Sequence, residues 1–460
     1  MLPPLVVFLA GCAGIVTSEE RLARREVQSV GNVYHGKGSP LVSPLLETQS
    51  PLRDLLLFSL LRNPRAEAAF HEWRAAVEEI TIARSLPDPM LTFGLEISRG
   101  IEALTPALMT DPMNSWPGPG KLPLRAEAAY RRALAKRAVF ERELLAGAFA
   151  VKQSYYQLWV VDEQLRWTRD ALTVVEEMER LARERLAVGK VTQQDVLRAQ
   201  MERDKIRNDL VNLEDSRRPM IARLRSALGL GADESLPAIQ ARLGEEPAAL
   251  TEEGLLEQAF LRNPRLREMR AEVEQAGALF QLARRSTVPD LAFGVGANLM
   301  ANPVPIMPSA GITLPIWRDK IAAEIAAGRA GVDARRASLS AETLDLTVRF
   351  AEATFFWREA DRNVRLYSER LLPKAKAALE SAQAGYVGGL SGFLDLLEAE
   401  RTLLDFQLAH ATARGQRVIL LSQISLVIMG RWPEGVDDFL SPASSDSPRP
   451  GPASRPQQRR

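Results

Sequence analysis

Apolar residues recur at helical spacing through the middle of the chain. Leu144, Ala148, Val151, Tyr155 and Leu158 are spaced 4-3-4-3, and Leu158, Leu165 and Leu172 follow at intervals of seven. Such a stripe buries one face of a helix against a neighbour, as in a coiled coil. Leu124 to Val188 contains no Pro and only Gly147. It predicts one helix of roughly 95 Å at 1.5 Å per residue. A break follows at Gly189, and the chain returns through a second helix. A similar pair lies further on, broken at Gly388-Gly389; its return helix carries Leu394, Leu397, Leu404, Leu408 and Ala411 on one stripe, interrupted by Arg401. Pro219 is expected to break the first return helix near its end, and Pro373 to kink the helix that contains it.

The two hairpins belong to a larger repeat with an offset of 200. Leu61-Arg62-Asn63-Pro64-Arg65 recurs as Leu261-Arg262-Asn263-Pro264-Arg265, and Pro89-Met90-Leu91-Thr92-Phe93-Gly94 as Pro289-Asp290-Leu291-Ala292-Phe293-Gly294. Tyr155-Tyr156 is answered by Phe355-Phe356, and Gly189 with Asp195-Val196-Leu197 by Gly389 with Asp395-Leu396-Leu397. Four stretches at one offset indicate a tandem duplication over 52–230 and 252–430, joined by a linker at 231–251. In each half a short helix should end at Asn-Pro, because the residue before Pro disfavours the helical region. Pro then opens the next helix, to about Ser85 or Arg285. Residues 12–51 read as an extended N-terminal segment. Residues 431–460 read as a C-terminal segment whose Ser/Pro/Arg-rich end, 441–460, is a disordered tail.

Between the short and long helices the period changes to two. Leu91, Phe93 and Leu95 alternate with Thr92, Gly94 and Glu96, and Leu291, Phe293 and Val295 with Ala292, Gly294 and Gly296. Strands are expected near 89–98, 112–117, 289–300 and 309–317. Trp116 and Trp317 stand at the strand-to-helix joins, where a bilayer interface favours amphipathic rings. Ordinary hairpins packed on helices, with Trp as core filling, fit these residues equally well.

Composition narrows the function by exclusion. The 59 Lys and Arg against 58 Asp and Glu leave a net charge of +1, no electrostatic footprint for nucleic acid. A single Cys and three scattered His offer no disulfide framework, no metal-ligand spacing and no His-based general base. There is no P-loop and no Rossmann glycine pattern. The reading is of a non-enzyme without catalytic, metal or cofactor sites; acidic pairs such as Glu252-Glu253 after Thr251 serve to start helices. No apolar run reaches the ~20 residues of a transmembrane helix, a statement that leaves a β-barrel open.

The chain starts with an apolar stretch, Leu2 to Leu9, running into Leu9-Ala10-Gly11-Cys12. That matches a lipoprotein cleavage box, with residues 1–11 as signal and Cys12 as the lipid-bearing first residue. No basic residue precedes the run, as a signal normally requires; a buried Cys after a chance apolar start is the plainer alternative.

Together these features resemble the TolC-like outer-membrane efflux channel family, over about 52–430. The resemblance rests on the duplicated Asn-Pro helix starts, on Leu86-Pro87-Asp88-Pro89 before the first strand and on Pro119-Gly120-Lys121 before the first long helix. Arg185-Leu186-Ala187-Val188-Gly189 and Tyr386-Val387-Gly388-Gly389 at the helical breaks add to it. The lipobox and the Pro-Gly-Lys join are most similar to the lipoprotein branch that serves heavy-metal and drug exporters. The resemblance implies a mainly α fold with a small β portion: duplicated long antiparallel helical hairpins forming an α-barrel, and four strands per protomer in a shared transmembrane β-barrel. It implies a homotrimer in the outer membrane, lipid-anchored and extending into the periplasm, that conducts passively for a periplasmic adaptor and an inner-membrane transporter. One part of this follows from physics alone: four strands cannot close a barrel, and an open edge in lipid leaves backbone groups unpaired.

The resemblance also assigns roles to residues. The tips, with Arg185, Gly189, Gly388 and Gly389, would meet the adaptor. Asp395 and Glu398, three apart and so on one helical face, match the paired acids of the periplasmic aperture. A plain amphipathic helix would carry the same acids on its solvated face. The family's lock pairs a Tyr with an Asp, assisted by an Arg. Tyr386 and Asp195 match the first two, and Ser391 stands in the place of the Arg, so the closed state is expected to rest on Tyr386–Asp195 alone. The other function class, a structural or adaptor-type coiled-coil periplasmic lipoprotein, would lack the two duplicated strand pairs.

Overall fold

The computed structural model describes residues 16–35, 46–47, 50–97, 101–110, 116–231, 233–244 and 254–431. Cys12, the pair Glu252-Glu253 and the segment 432–460 lie outside them. The order of elements is α1 (Ser18–His35), α2 (Leu52–Arg62), α3 (Pro64–Arg84), β1 (Pro89–Ile97), β2 (Ile101–Thr110), α4 (Lys121–Ala187) and α5 (Gln193–Leu228). The same order then returns as α6 (Leu255–Arg262), α7 (Pro264–Arg284), β3 (Leu291–Ala297), β4 (Ile306–Ile312), α8 (Arg318–Arg365), α9 (Leu372–Gly388) and α10 (Phe393–Ser422).

The two Asn-Pro junctions are built alike. Asn63 Oδ1 accepts the Arg65 N–H at 2.9 Å, and Asn263 Oδ1 accepts the Arg265 N–H at 2.9 Å. The Asn side chain thus satisfies a free donor of the new helix, and Pro occupies the first position, where no N–H is needed.

α4 is a single helix of 67 residues, about 100 Å long. The seam read from its sequence is its buried stripe: Leu144, Ala148, Val151, Tyr155, Leu158 and Leu165 are all enclosed. Against it lie α5, α3, α7 and α10. The linker side of the first half is packed as well: Ile239 is buried, and the Arg242 N–H donates to Tyr155 Oη at 2.8 Å.

Four expectations need correction. First, the segment 12–51 is not simply extended, because it contains α1. Its Ala23, Val27 and Val30 form one stripe buried in the cluster around Phe70 and Trp73, and an amphipathic helix with a partner face is favoured over an extended chain. Second, the second strand is Ile101–Thr110, not 112–117. Pro106 in its middle disguises it, since Pro is normally kept out of strand interiors. Of the expected segment only Trp116 is extended and described, as a lone bridge to Leu291. The fourth strand begins earlier than expected, at Ile306, and stops before Trp317. Third, Pro219 does not break α5, which continues to Leu228. Pro219 is exposed, so the carbonyl it leaves free faces water. Pro373 does perturb its helix: a π-helical turn, Leu366–Leu371, directly precedes α9. Fourth, Tyr386 and Asp195 form no hydrogen bond within the single chain.

The strands form one antiparallel meander in the order β1-β2-β3-β4. The middle pairing is short, Ala107↔Gly296 to Met109↔Gly294, and joins the two halves of the chain. β1 and β4 are the outer strands, each with one unpaired edge within the chain.

Candidate functional site: an open apolar sheet and two helical tips

The sheet exposes what a soluble sheet would bury. Leu91, Phe93 and Leu95 on β1, Leu291, Phe293 and Val295 on β3, and Ile306 and Ile312 on β4 are all exposed; Phe93 reaches 69% and Ile306 72%. A contiguous apolar surface of this kind marks contact with lipid or protein. Trp116 packs edge-on to Phe293, with ring centroids 5.4 Å apart, while Trp317 is exposed at the start of α8. Just inside this join, Lys121 is buried and its Nζ lies 2.7 Å from Asp290 Oδ1, which also accepts the Gly118 N–H at 2.6 Å. The pair ties the start of α4 to the strand end of the other half. No described helix is long and apolar enough to cross a membrane.

At the far end of the long helices the two tips fold identically. Gly189 and Gly389 have φ of +70° and +78°, a region open to Gly at little cost. The N–H of the next residue reaches back five positions, Lys190 to the Arg185 carbonyl at 2.9 Å and Leu390 to the Gly385 carbonyl at 2.8 Å. This is the usual closure of a helix C-terminus. Gly388 is exposed and is the last residue of α9 itself.

The return helices also start alike. Asp195 accepts from the Thr192 N–H at 3.2 Å and Thr192 Oγ1 at 3.1 Å, and Asp395 accepts the Gly392 N–H at 3.0 Å. Both acids therefore cap helix N-termini, where a negative charge is favoured. Asp395 and Glu398 are exposed on one face of α10. Arg401, which interrupts the apolar stripe, reaches across to buried Glu202 on α5.

Tyr386 is only 2% exposed, packed edge-on to Phe393 at 5.7 Å in a core that also holds Val175, Val196 and Leu396. Its hydroxyl has no hydrogen-bond partner. The Tyr386–Asp195 bond is thus absent within the chain; the Asp195 carboxylate instead caps α5. Burial pushes the Tyr386 hydroxyl above its ordinary pKa; the Arg185 charge opposes this and the Asp195 charge adds to it. The link between the tips comes from Arg185 instead. Its guanidinium lies over the Tyr386 ring, 4.5 Å from the centroid, and donates to the carbonyls of Tyr386 and Val387. Ser391, in the place of the expected Arg, turns its hydroxyl to the Ala382 carbonyl at 3.1 Å. Among the described residues there is no cluster of three or more His, Cys, Asp or Glu that could hold a metal.

This arrangement, an open apolar sheet at one end of very long paired helices, can be compared with known proteins. Residues 119–230 and 255–428 match the family described as Outer membrane efflux protein. The chain belongs to that family. The first matched segment covers α4 and α5, and the second runs from α6 through α10, with β3 and β4 inside it. The efflux protein is 25% identical over 366 residues to the cobalt-zinc-cadmium resistance protein CzcC of Cupriavidus metallidurans, covering 77% of this chain and 84% of that one. It is 27% identical over 335 residues to the pyoverdine export outer membrane protein OpmQ of Pseudomonas aeruginosa, covering 66% and 67%. Its fold is that of the outer membrane protein VceC of Vibrio cholerae, with a TM-score of 0.70 at 18% identity over 83% of this chain and 97% of that one. Family and fold are those of outer-membrane efflux channels of tripartite systems, and the scaffold reading falls with them.

Proposed function

We propose that three copies of this chain form a passive conduit through the outer membrane, fed by a periplasmic adaptor and an inner-membrane transporter. The observation that carries the reading is the four-stranded sheet with two open edges and an exposed apolar face. Such a sheet is stable in lipid only when its edges are closed, and copies of the same chain supply the missing strands. Twelve strands from three copies exceed the eight of the smallest barrels. The chain works without chemistry of its own, the energy coming from the transporter.

The tips at Gly189 and Gly388-Gly389 point away from the membrane and meet the adaptor, and Asp395 and Glu398 line the aperture as stacked acidic rings. Cys12 carries the acyl chains that anchor the mature protein. The two halves, 52–230 and 252–430, arose by tandem duplication. The cargo is a small solute or ion; the resistance and export named for the two relatives bracket that range.

The test is the protein purified from native outer membranes. A trimer whose gel mobility changes on heating, co-purifying with an adaptor and a transporter, supports the assignment. A monomer recovered from the soluble periplasmic fraction would refute it. Intact mass of the mature chain should show acyl chains on Cys12.

A further inference from the structure

One buried acid takes no part in any contact described above. Glu400 lies on α10, one and two turns beyond Leu396, Leu397 and Phe393, on the face that these residues bury in the tip core. It is 4% exposed, and its Oε2 has no hydrogen-bond partner. The surrounding core is apolar, with Ala171, Val175 and Met178 from α4, Ala199 and Ile206 from α5, and Leu379 from α9. In the first half the matching position is Gln200, a neutral residue of the same shape.

Nearby charged groups on the packed elements pair with other partners or are exposed. On α4, Glu176 pairs with Arg207, and Glu179 with Arg183 and Arg203. On α5, Glu202 pairs with Arg401 and Lys205. On α9, Lys374, Lys376 and Glu380 are exposed, as is Glu398 on α10 itself. Among the described residues no ion pair to Glu400 is formed and its Oε2 is unpartnered, and a lone ionised carboxylate in an apolar core is costly.

We propose that Glu400 is a proton-operated wedge: protonated, it lets α10 seat against α4 and α9, and ionised, it drives the tip apart. In keeping with this, burial raises its carboxyl from the ordinary 4.5 to about 7. The direction follows from linkage. The packed tip binds the proton more tightly than the opened tip, so packing is fully favoured below the ordinary carboxyl value. That advantage is lost as pH rises towards the raised one, and the response levels off above it. The consequence for conduction rests on reading this end as the periplasmic aperture; the proton linkage does not.

The experiment is hydrogen exchange of the full-length protein in detergent, followed by mass spectrometry of peptides from 380–410 between pH 5 and 8. Protection factors corrected for intrinsic exchange should fall about tenfold or more across this range. Glu400→Gln and Glu400→Met should both abolish the dependence. Flat protection in the wild type, which needs no variant to fold, overturns the proposal, as does an unchanged dependence in a folded variant. Conductance in planar bilayers over the same range separates the two readings. Conductance rising with pH supports both. Protection that responds while conductance does not leaves the wedge standing and removes the aperture from this end.

Discussion

Arg185, at the end of α4, clasps Tyr386, at the end of α9, by lying over its ring at 4.5 Å and donating to the carbonyls of Tyr386 and Val387. One side chain thus caps the C-terminus of α9 and joins the two helical hairpins. An Arg stacked on an aromatic ring contributes ~1–2 kcal/mol, and bonds from a charged donor add to it.

Arg185→Ala should therefore loosen the tip and raise the open probability in planar bilayers by roughly tenfold, the equivalent of about 1.4 kcal/mol. Tyr386→Phe should leave it near wild type, because the Tyr386 hydroxyl makes no hydrogen bond. A large effect of Tyr386→Phe with none from Arg185→Ala would restore the Tyr386–Asp195 lock.

The acids of the second tip make a separate prediction. Asp395→Asn with Glu398→Gln should lower cation selectivity and weaken block by divalent cations, since rings of carboxylates favour cations. Reversal potentials in a salt gradient read this directly. Unchanged selectivity would leave the two acids as the solvated face of α10.

Lys121 and Asp290 tie the tunnel to the sheet. Asp290→Ala strands a buried ammonium and should destabilise the protein by about 3–5 kcal/mol, seen as a lower midpoint in denaturant unfolding. Pairing it with Lys121→Met should recover much of the loss. If the double variant is no better than Asp290→Ala, the pair is not the source of the effect.

α1 is held by Glu20, 1% exposed, which accepts from Arg84 Nε at 2.8 Å, Thr81 Oγ1 at 2.9 Å and Arg24 Nε at 3.1 Å. Burial alone would raise its carboxyl pKa, but these donors together hold it below the ordinary 4.5. A depressed value means that the stabilisation is present above the ordinary value and lost as pH falls through the lowered one. Docking of α1 on α3 should therefore weaken below about pH 4.5. Protease cleavage within 18–35 should rise there, and Glu20→Gln should show it already at neutral pH.

The long helices, the Asn-Pro junctions and the paired tips were legible because each is local. A heptad stripe, a Pro after Asn and a Gly at positive φ act within a few residues of themselves. β2 was not, because Pro106 argues against a strand interior, and only the tertiary pairing shows it opposite Phe93 and outside the short β2–β3 ladder at Ala107–Met109. The contacts and burial that escaped the reading share a signature that the sequence does carry. Arg185 faces Gly385 at the repeat offset, Lys121 faces Ile321, Asp290 faces Met90 and Glu400 faces Gln200. Each is a charge where its copy has none, and in the first three the partner lies in the opposite half. A charged departure from an internal repeat marks a contact between the halves or a buried acid, neither of which local patterning can place.

Conduction is the central claim of the proposed function. The decisive measurement is current through planar bilayers after adding the purified full-length protein at nanomolar concentration. Discrete, step-like conductance increments, altered by Arg185→Ala and by the Asp395→Asn, Glu398→Gln pair, are the expected result. A protein that inserts as a trimer yet never conducts, with or without the tip substitutions, would contradict the assignment as an efflux conduit.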